Sequence, residues 1–365
     1  MVGKSWNSAV TTFLYMRPVI KTQKQLRCLC RSLQASPRLP SLVLALIIVA
    51  PSEQVPPRNI FRLKVRSWLS TFRETHPQEA VRTILKLCSS HQLESMMLST
   101  SASLPNTSTA PIVIFSQILG EGWPLRKLVI DSNAFIDHTL FGRMDLPQLE
   151  ILHLRSLVLN RFTTFPHLPR VSVVQVVKCY ISYQAPLFFD EQRLPNLRSL
   201  GFYQCEFKYC KYLTYLITLE NLERLCIVEY NSESPILWAG SSGQLAKVPH
   251  LTIGTKYPFS PVFAHSFRFP RSLRTLTVLG VSPGEEWPID DFIRCLTSQF
   301  EQGRFQLLEM LYVVGEIGCD ANLEPLRSFC EQRGVQTELQ GQDVEGWINQ
   351  HLDTNVPSRG IVPLC

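Results

Sequence analysis

The sequence predicts an α/β fold of solenoid type: a curved parallel sheet of short strands, with helices and loops on its convex side. Three observations predict it. One spacing of apolar residues recurs along the chain, its copies follow one another in steps of 22 to 26 residues, and 45% hydrophobic against 18% charged residues leaves ample material for a continuous core.

The spacing is L-x-x-L-x-L-x-x-N-x-L. Leu125, Leu128, Ile130, Asn133 and Phe135 match it, and so do Val171, Val174, Val176, Cys179 and Ile181, with cysteine in the asparagine place. Leu197, Leu200, Phe202, Cys205 and Phe207 match it again. This is the leucine-rich-repeat pattern. Weaker copies centre on Leu152, Leu225, Leu251 and Leu276, and outlying ones on Leu46, Met96 and Leu311. In each copy the alternate apolar residues of a strand enter the core, and the short Asn or Cys side chain serves the turn that follows. One unit cannot bury its apolar face alone, so neighbours must stack.

The longer intervals near the ends predict helices. Val65, Trp68, Leu69 and Phe72 lie at helical spacing, as do Val81, Ile84, Leu85 and Cys88, with Pro77 placed to open that helix. Ile289, Phe292, Ile293, Leu296 and Phe300 form a third stripe, and Leu323, Leu326 and Cys330 a fourth that Gly334 stops. A strand over Val335 to Leu339 and a helix around Val344 to Leu352 are expected to cap the stack. Ser99 to Pro111 and Thr255 to Pro270 read as loops, and the residues after Asp353 as a tail.

The residues before Leu39 do not follow the repeat. Ser5-Trp6-Asn7-Ser8-Ala9 opens a helix reaching Leu14-Tyr15, followed by an extended Pro18-Val19-Ile20 and a helix with Leu26, Leu29, Cys30 and Leu33 on one face. Together with Ser36-Pro37-Arg38-Leu39, this resembles the junction between an F-box and the repeats in fungal F-box/leucine-rich-repeat proteins. The likeness covers only the late part of an F-box, because the Leu-Pro turn and two earlier helices of that motif have no counterpart here. The resemblance implies residues 1–38 as a partial, N-terminally truncated F-box-like segment, 39–340 as the solenoid, and 341–365 as a capping helix and tail. It further implies a substrate-recognition subunit of a cullin–RING (SCF-type) ubiquitin ligase, acting in ubiquitin-dependent degradation. Trp6, Leu14 and Tyr15 would meet the ligase's adaptor, and the repeats would hold an unknown protein substrate. A free-standing leucine-rich-repeat binding scaffold without the adaptor link is the alternative.

Side chains alternating with the buried ones are expected to face the concave side. His153, Arg155, Gln175, Tyr203, Arg224 and Tyr312 are the candidate substrate contacts, since aromatic and Arg side chains bury much area while keeping a polar end.

Charge is unevenly placed. Residues 1–75 carry 12 Lys or Arg against Glu53 and Glu74, a balance of +10, while the whole chain is +6, leaving −4 for the rest. A basic head on a slightly acidic body suggests an acidic surface as its partner, whether protein, membrane or nucleic acid. No base-reading motif accompanies these charges, so nucleic acid is not expected. The longest apolar run, Leu42 to Ala50, is short for a bilayer-spanning helix of about 20 residues and reads as a strand, so no membrane partner is expected either. The 11 cysteines are odd in number and irregularly spaced, which suits a reducing compartment, cytoplasm or nucleus, rather than a disulfide framework.

Catalytic patterns are weak. Gly3-Lys4-Ser5 lacks the preceding glycine of a phosphate loop, and Gly240-Ser241-Ser242-Gly243 fails the nucleophile-elbow spacing. Cys28, Cys30, Cys88 and His91 lack a second well-spaced pair for a metal. Asp290-Asp291 reads as a negatively charged helix start. No enzyme, cofactor or metal is expected.

Overall fold

A computed structural model describes residues 10–12, 14–50, 77–89, 93–100, 122–132, 135–136, 145–159, 165–182, 189–190, 192–208, 217–229, 247–255, 269–280, 289–315, 324–340 and 344–354. Trp6, the stripe from Val65 to Phe72, the phosphate-loop and elbow lookalikes, and the tail after Thr354 lie outside the described residues, as do nearly all of the two expected loops. The chain divides into two compact units. Unit 1 is Met1–Val158 with Thr164–Arg170, and unit 2 is Leu159–Thr163 with Val171–Cys365.

In unit 1 the strands are β1 (Val19–Ile20), β2 (Ala45–Ala50), β3 (Ser95–Thr100), β4 (Lys127–Ser132) and β5 (Ile151–Arg155), paired in that order and all parallel. Leu46, Met96, Leu128 and Leu152 share one register row and are fully buried. Helix α1 (Gln23–Ala35) follows β1, and α2 (Pro77–Ser89) follows β2. A capping box starts α1: Gln25 N–H donates to Thr22 Oγ1 at 3.2 Å, and Thr22 N–H donates back to Gln25 Oε1 at 3.1 Å. Leu26 and Leu33 of α1 and Val81, Ile84, Leu85 and Cys88 of α2 are the buried stripes, and the two helices pack together. At the entry to the sheet Arg126 grips Glu150 with two hydrogen bonds, 3.1 and 2.9 Å, beside the backbone link from Glu150 N–H to Arg126 O. The pair is exposed, so it fixes register more than stability.

Unit 2 contains β6 (Val173–Val177), β7 (Tyr180–Ser182), β8 (Ser199–Lys208), β9 (Arg224–Glu229), β10 (His250–Thr255), β11 (Thr275–Gly280), helix α3 (Ile289–Glu301), β12 (Met310–Val314), α4 (Glu324–Glu331), β13 (Gln336–Gln340) and α5 (Val344–Thr354). Strands β6, β8, β9, β10, β11, β12 and β13 pair in that order, parallel throughout, and β7 pairs with the far end of β8. Strand β8 bulges at Gln204, whose φ is 54°, and this divides its two pairings. Beside the bulge, Cys205 Sγ lies 3.2 Å from the Val176 carbonyl oxygen, and Cys179 Sγ lies 3.4 Å from that of Val177. A small buried thiol there satisfies the backbone of the turn.

The leucine-rich-repeat solenoid with its helical F-box remnant is corrected by this topology. Recurring strands are present, but they are not followed by regular strand–helix units. Helices α1, α2 and α3 have 13 residues and α4 has 8, and the described residues between β3 and β11 hold no helix at all. The physical reason lies in the connections. Only those after β1, β2, β11, β12 and β13 contain described helices, so the described helices do not recur once per strand. The F-box likeness is corrected too. The extended Val19–Ile20 is an edge strand paired with Ile47 and Ile48, and α1 belongs to the core of unit 1. The chain is an α/β protein built on parallel sheet with irregularly packed helices.

Candidate binding face

The alternation of β-strands puts one set of side chains into the leucine core and the other set on the opposite face. In unit 2 that opposite face has two halves. Towards the strand ends, Val177, Tyr203, Cys226, Val228, Leu279 and Val314 form one buried cluster with Trp347, Ile348 and Leu352 of α5. The C-terminal helix therefore lies across the sheet. Trp347 is only 5% exposed. The His351 ring stacks on its indole at 3.6 Å between centroids, with His351 Nδ1 placed 2.9 Å from the Trp347 carbonyl oxygen.

Towards the strand starts the face carries accessible polar side chains among the buried Cys226 and Thr277. Arg224, His250, Thr275, Met310 and Gln336 form one register row, and Cys226, Thr252, Thr277, Tyr312 and Glu338 the next. Neighbours along a row are about 5 Å apart. Arg224, Gln336 and Glu338 are exposed, and His250, Thr252 and Tyr312 are half-buried. Burial, with Arg224 as the next cause, holds His250 below the ordinary histidine range. Burial also lowers His351, where Arg224 again disfavours the proton.

Between the halves sits a small hydrogen-bonded set. Cys226 bonds to Tyr203 and Thr252, and burial pushes its thiol up to about 12, so it is not a thiolate nucleophile at neutral pH. Burial likewise pushes the Tyr203 phenol well above its usual range. Gly201 makes this arrangement possible, since a Cβ there would lie 2.3 Å from the Tyr203 ring. Gly201→Ala is expected to expel that ring and to cost about 1–3 kcal/mol, read as a lower thermal midpoint with raised exchange of α5 amides.

The sequence-derived candidates separate on this geometry. Tyr203, Arg224 and Tyr312 share one face of unit 2, but Tyr203 is covered by α5 and Gln175 is 1% exposed, so neither is open to a partner. Both amide atoms of Gln175 lack a hydrogen-bond partner among the described residues. In unit 1, His153 is buried beside Val129 in register, and Arg155 is half-buried. Leu14 is 67% exposed and Tyr15 half-buried. Trp347, His351, His250, Thr252 and Cys226 were not anticipated. Their signal was the near-continuous apolar character of Leu225–Val228 and Met310–Val314, which marks strands buried on both faces.

No family model matches the chain, and no curated protein matches it. With the irregular helices, this overturns the assignment as an F-box/leucine-rich-repeat substrate receptor. The SCF complex, ubiquitin-dependent degradation and the leucine-rich-repeat scaffold alternative fall with it. Among the described residues no group of three His, Cys, Asp or Glu could hold a metal ion.

Proposed function

We propose that this chain binds another protein without catalysing a reaction, and that the partner lies on the open half of the unit 2 face. The observation that carries this reading is a set of accessible polar side chains on two neighbouring register rows, Arg224 and His250 on one and Thr252, Tyr312 and Glu338 on the other with buried Thr277 among them, beside the apolar cluster that α5 covers. Strands hold these side chains at fixed spacing, so an incoming segment meets a preorganised row and loses little free energy in ordering it. Arg224 offers a carboxylate a planar, multi-donor partner, and Tyr312 offers area with a polar end. A segment carrying an acidic side chain next to an apolar one fits that pair.

Photo-crosslinkers placed at Thr252 and Tyr312 are expected to trap the same partner, whose affinity falls at least tenfold with Arg224→Ala or Tyr312→Ala. A partner that binds the double variant as tightly as the parent would remove the strip from this role. Turnover of a substrate by the purified chain would remove the non-catalytic reading.

A further inference from the structure

Four large hydrophobic side chains stand exposed among the described residues: Val10 at 41%, Leu14 at 67%, Val19 at 45% and Leu307 at 51%. Three of the four fall within ten residues of one another. Val10 and Leu14 are one turn apart on the helical residues 10–12 and 14–16, so they project to the same side. The surrounding sequence is uniformly cationic. Residues 1–52 contain seven Lys or Arg and no Asp or Glu. Arg17, Lys21, Lys24, Arg31 and Arg38 are all exposed, and Lys24 and Arg31 lie two turns apart on one side of α1.

We infer that this segment of unit 1 docks on an anionic lipid surface. Exposed aliphatic tips interleaved with cations are what a shallow interfacial anchor requires, the tips entering the acyl boundary while the cations meet headgroup phosphates and carboxylates. Among the described residues no helix is long and apolar enough to cross a membrane, and the anchor inferred here is a shallow, interfacial one. A nucleic acid would supply the same negative charge. Binding to single strands uses exposed aromatic stacking platforms, whereas the large hydrophobic side chains exposed among the described residues are aliphatic. This assignment revises the expectation of no membrane partner and does not depend on the strip in unit 2.

The test is sedimentation of the full chain with vesicles of phosphatidylcholine alone or with about 30% phosphatidylserine, at roughly 0.1 M and 0.5 M salt. Binding is expected only with phosphatidylserine, and weaker at the higher salt. Leu14→Asp is expected to lower partitioning about tenfold or more, as is Lys21→Glu with Lys24→Glu, both with unchanged thermal unfolding. Absence of binding to the anionic vesicles would overturn the inference. So would binding indifferent to both variants, or a basic segment that is occupied by a DNA duplex or an acidic protein and ignores lipid.

Discussion

Trp347→Ala is expected to cost about 3–5 kcal/mol in the stability of unit 2 and to lift α5 from the sheet. The indole is the largest side chain α5 contributes, and it is buried against a cluster that spans β6, β8, β9, β11 and β12. Removing it leaves a cavity that neighbours on five strands cannot fill, because each is held by its own ladder of backbone hydrogen bonds. It also strands His351, whose ring stacks on Trp347. The helix is 11 residues long, too short to stay helical by itself once its apolar side is undocked. Hydrogen exchange should show amides from Val344 to Thr354 exchanging early, and a dye that reports exposed apolar surface should bind the variant and not the parent. Retention of full protection across α5 would mean that the helix does not depend on its seat.

Acid is expected to weaken unit 1 through His153. The imidazole is 2% exposed, and its Nε2 has no hydrogen-bond partner among the described residues. Burial, with Lys127 and Arg155 adding repulsion, pushes its pKa down to about 3. Since the unfolded chain takes up this proton near pH 6.5 and the folded chain does not, the stability is complete above about pH 6.5 and is lost as pH falls towards 3. At pH 5 the loss is about 2 kcal/mol. His153→Leu should flatten this dependence, and it should be near-neutral at pH 7, because it also removes an unpaired buried polar atom. Urea midpoints at pH 7 and pH 5 decide the matter. An equal acid-induced drop in parent and variant would place the titration elsewhere.

The two expectations differ in how far local pattern could foresee them. The helix from Val344 was legible in its spacing, and so was each strand around Leu200, Leu225 or Leu276. The role of Trp347 was not, because alternation along β8 reads Tyr203 as pointing away from the leucine core without saying what waits there. His153 and Gln175 misled in the same way: a polar residue opposite the core is ordinarily solvated, and here both are covered. The charged row was the more faithful guide. Arg224 is exposed and Tyr312 half-buried, and neither belongs to the cluster that α5 forms, although Tyr312 shares a register row with Cys226, which does.

Strand positions, helix caps such as Thr22 with Gln25, and the acid-free basic stretch are written within windows of a few residues, where spacing and side-chain chemistry act directly. The arrangement of helices is not written that way. Nor is the choice of which half of a sheet face is closed, or the passage of Val19–Ile20 into the sheet as an edge strand. Those outcomes depend on surfaces far apart along the chain, Trp347 meeting Tyr203 or Ile20 meeting Ile48. Burial free energy rewards any apolar surface that fits, without regard to where in the chain it comes from.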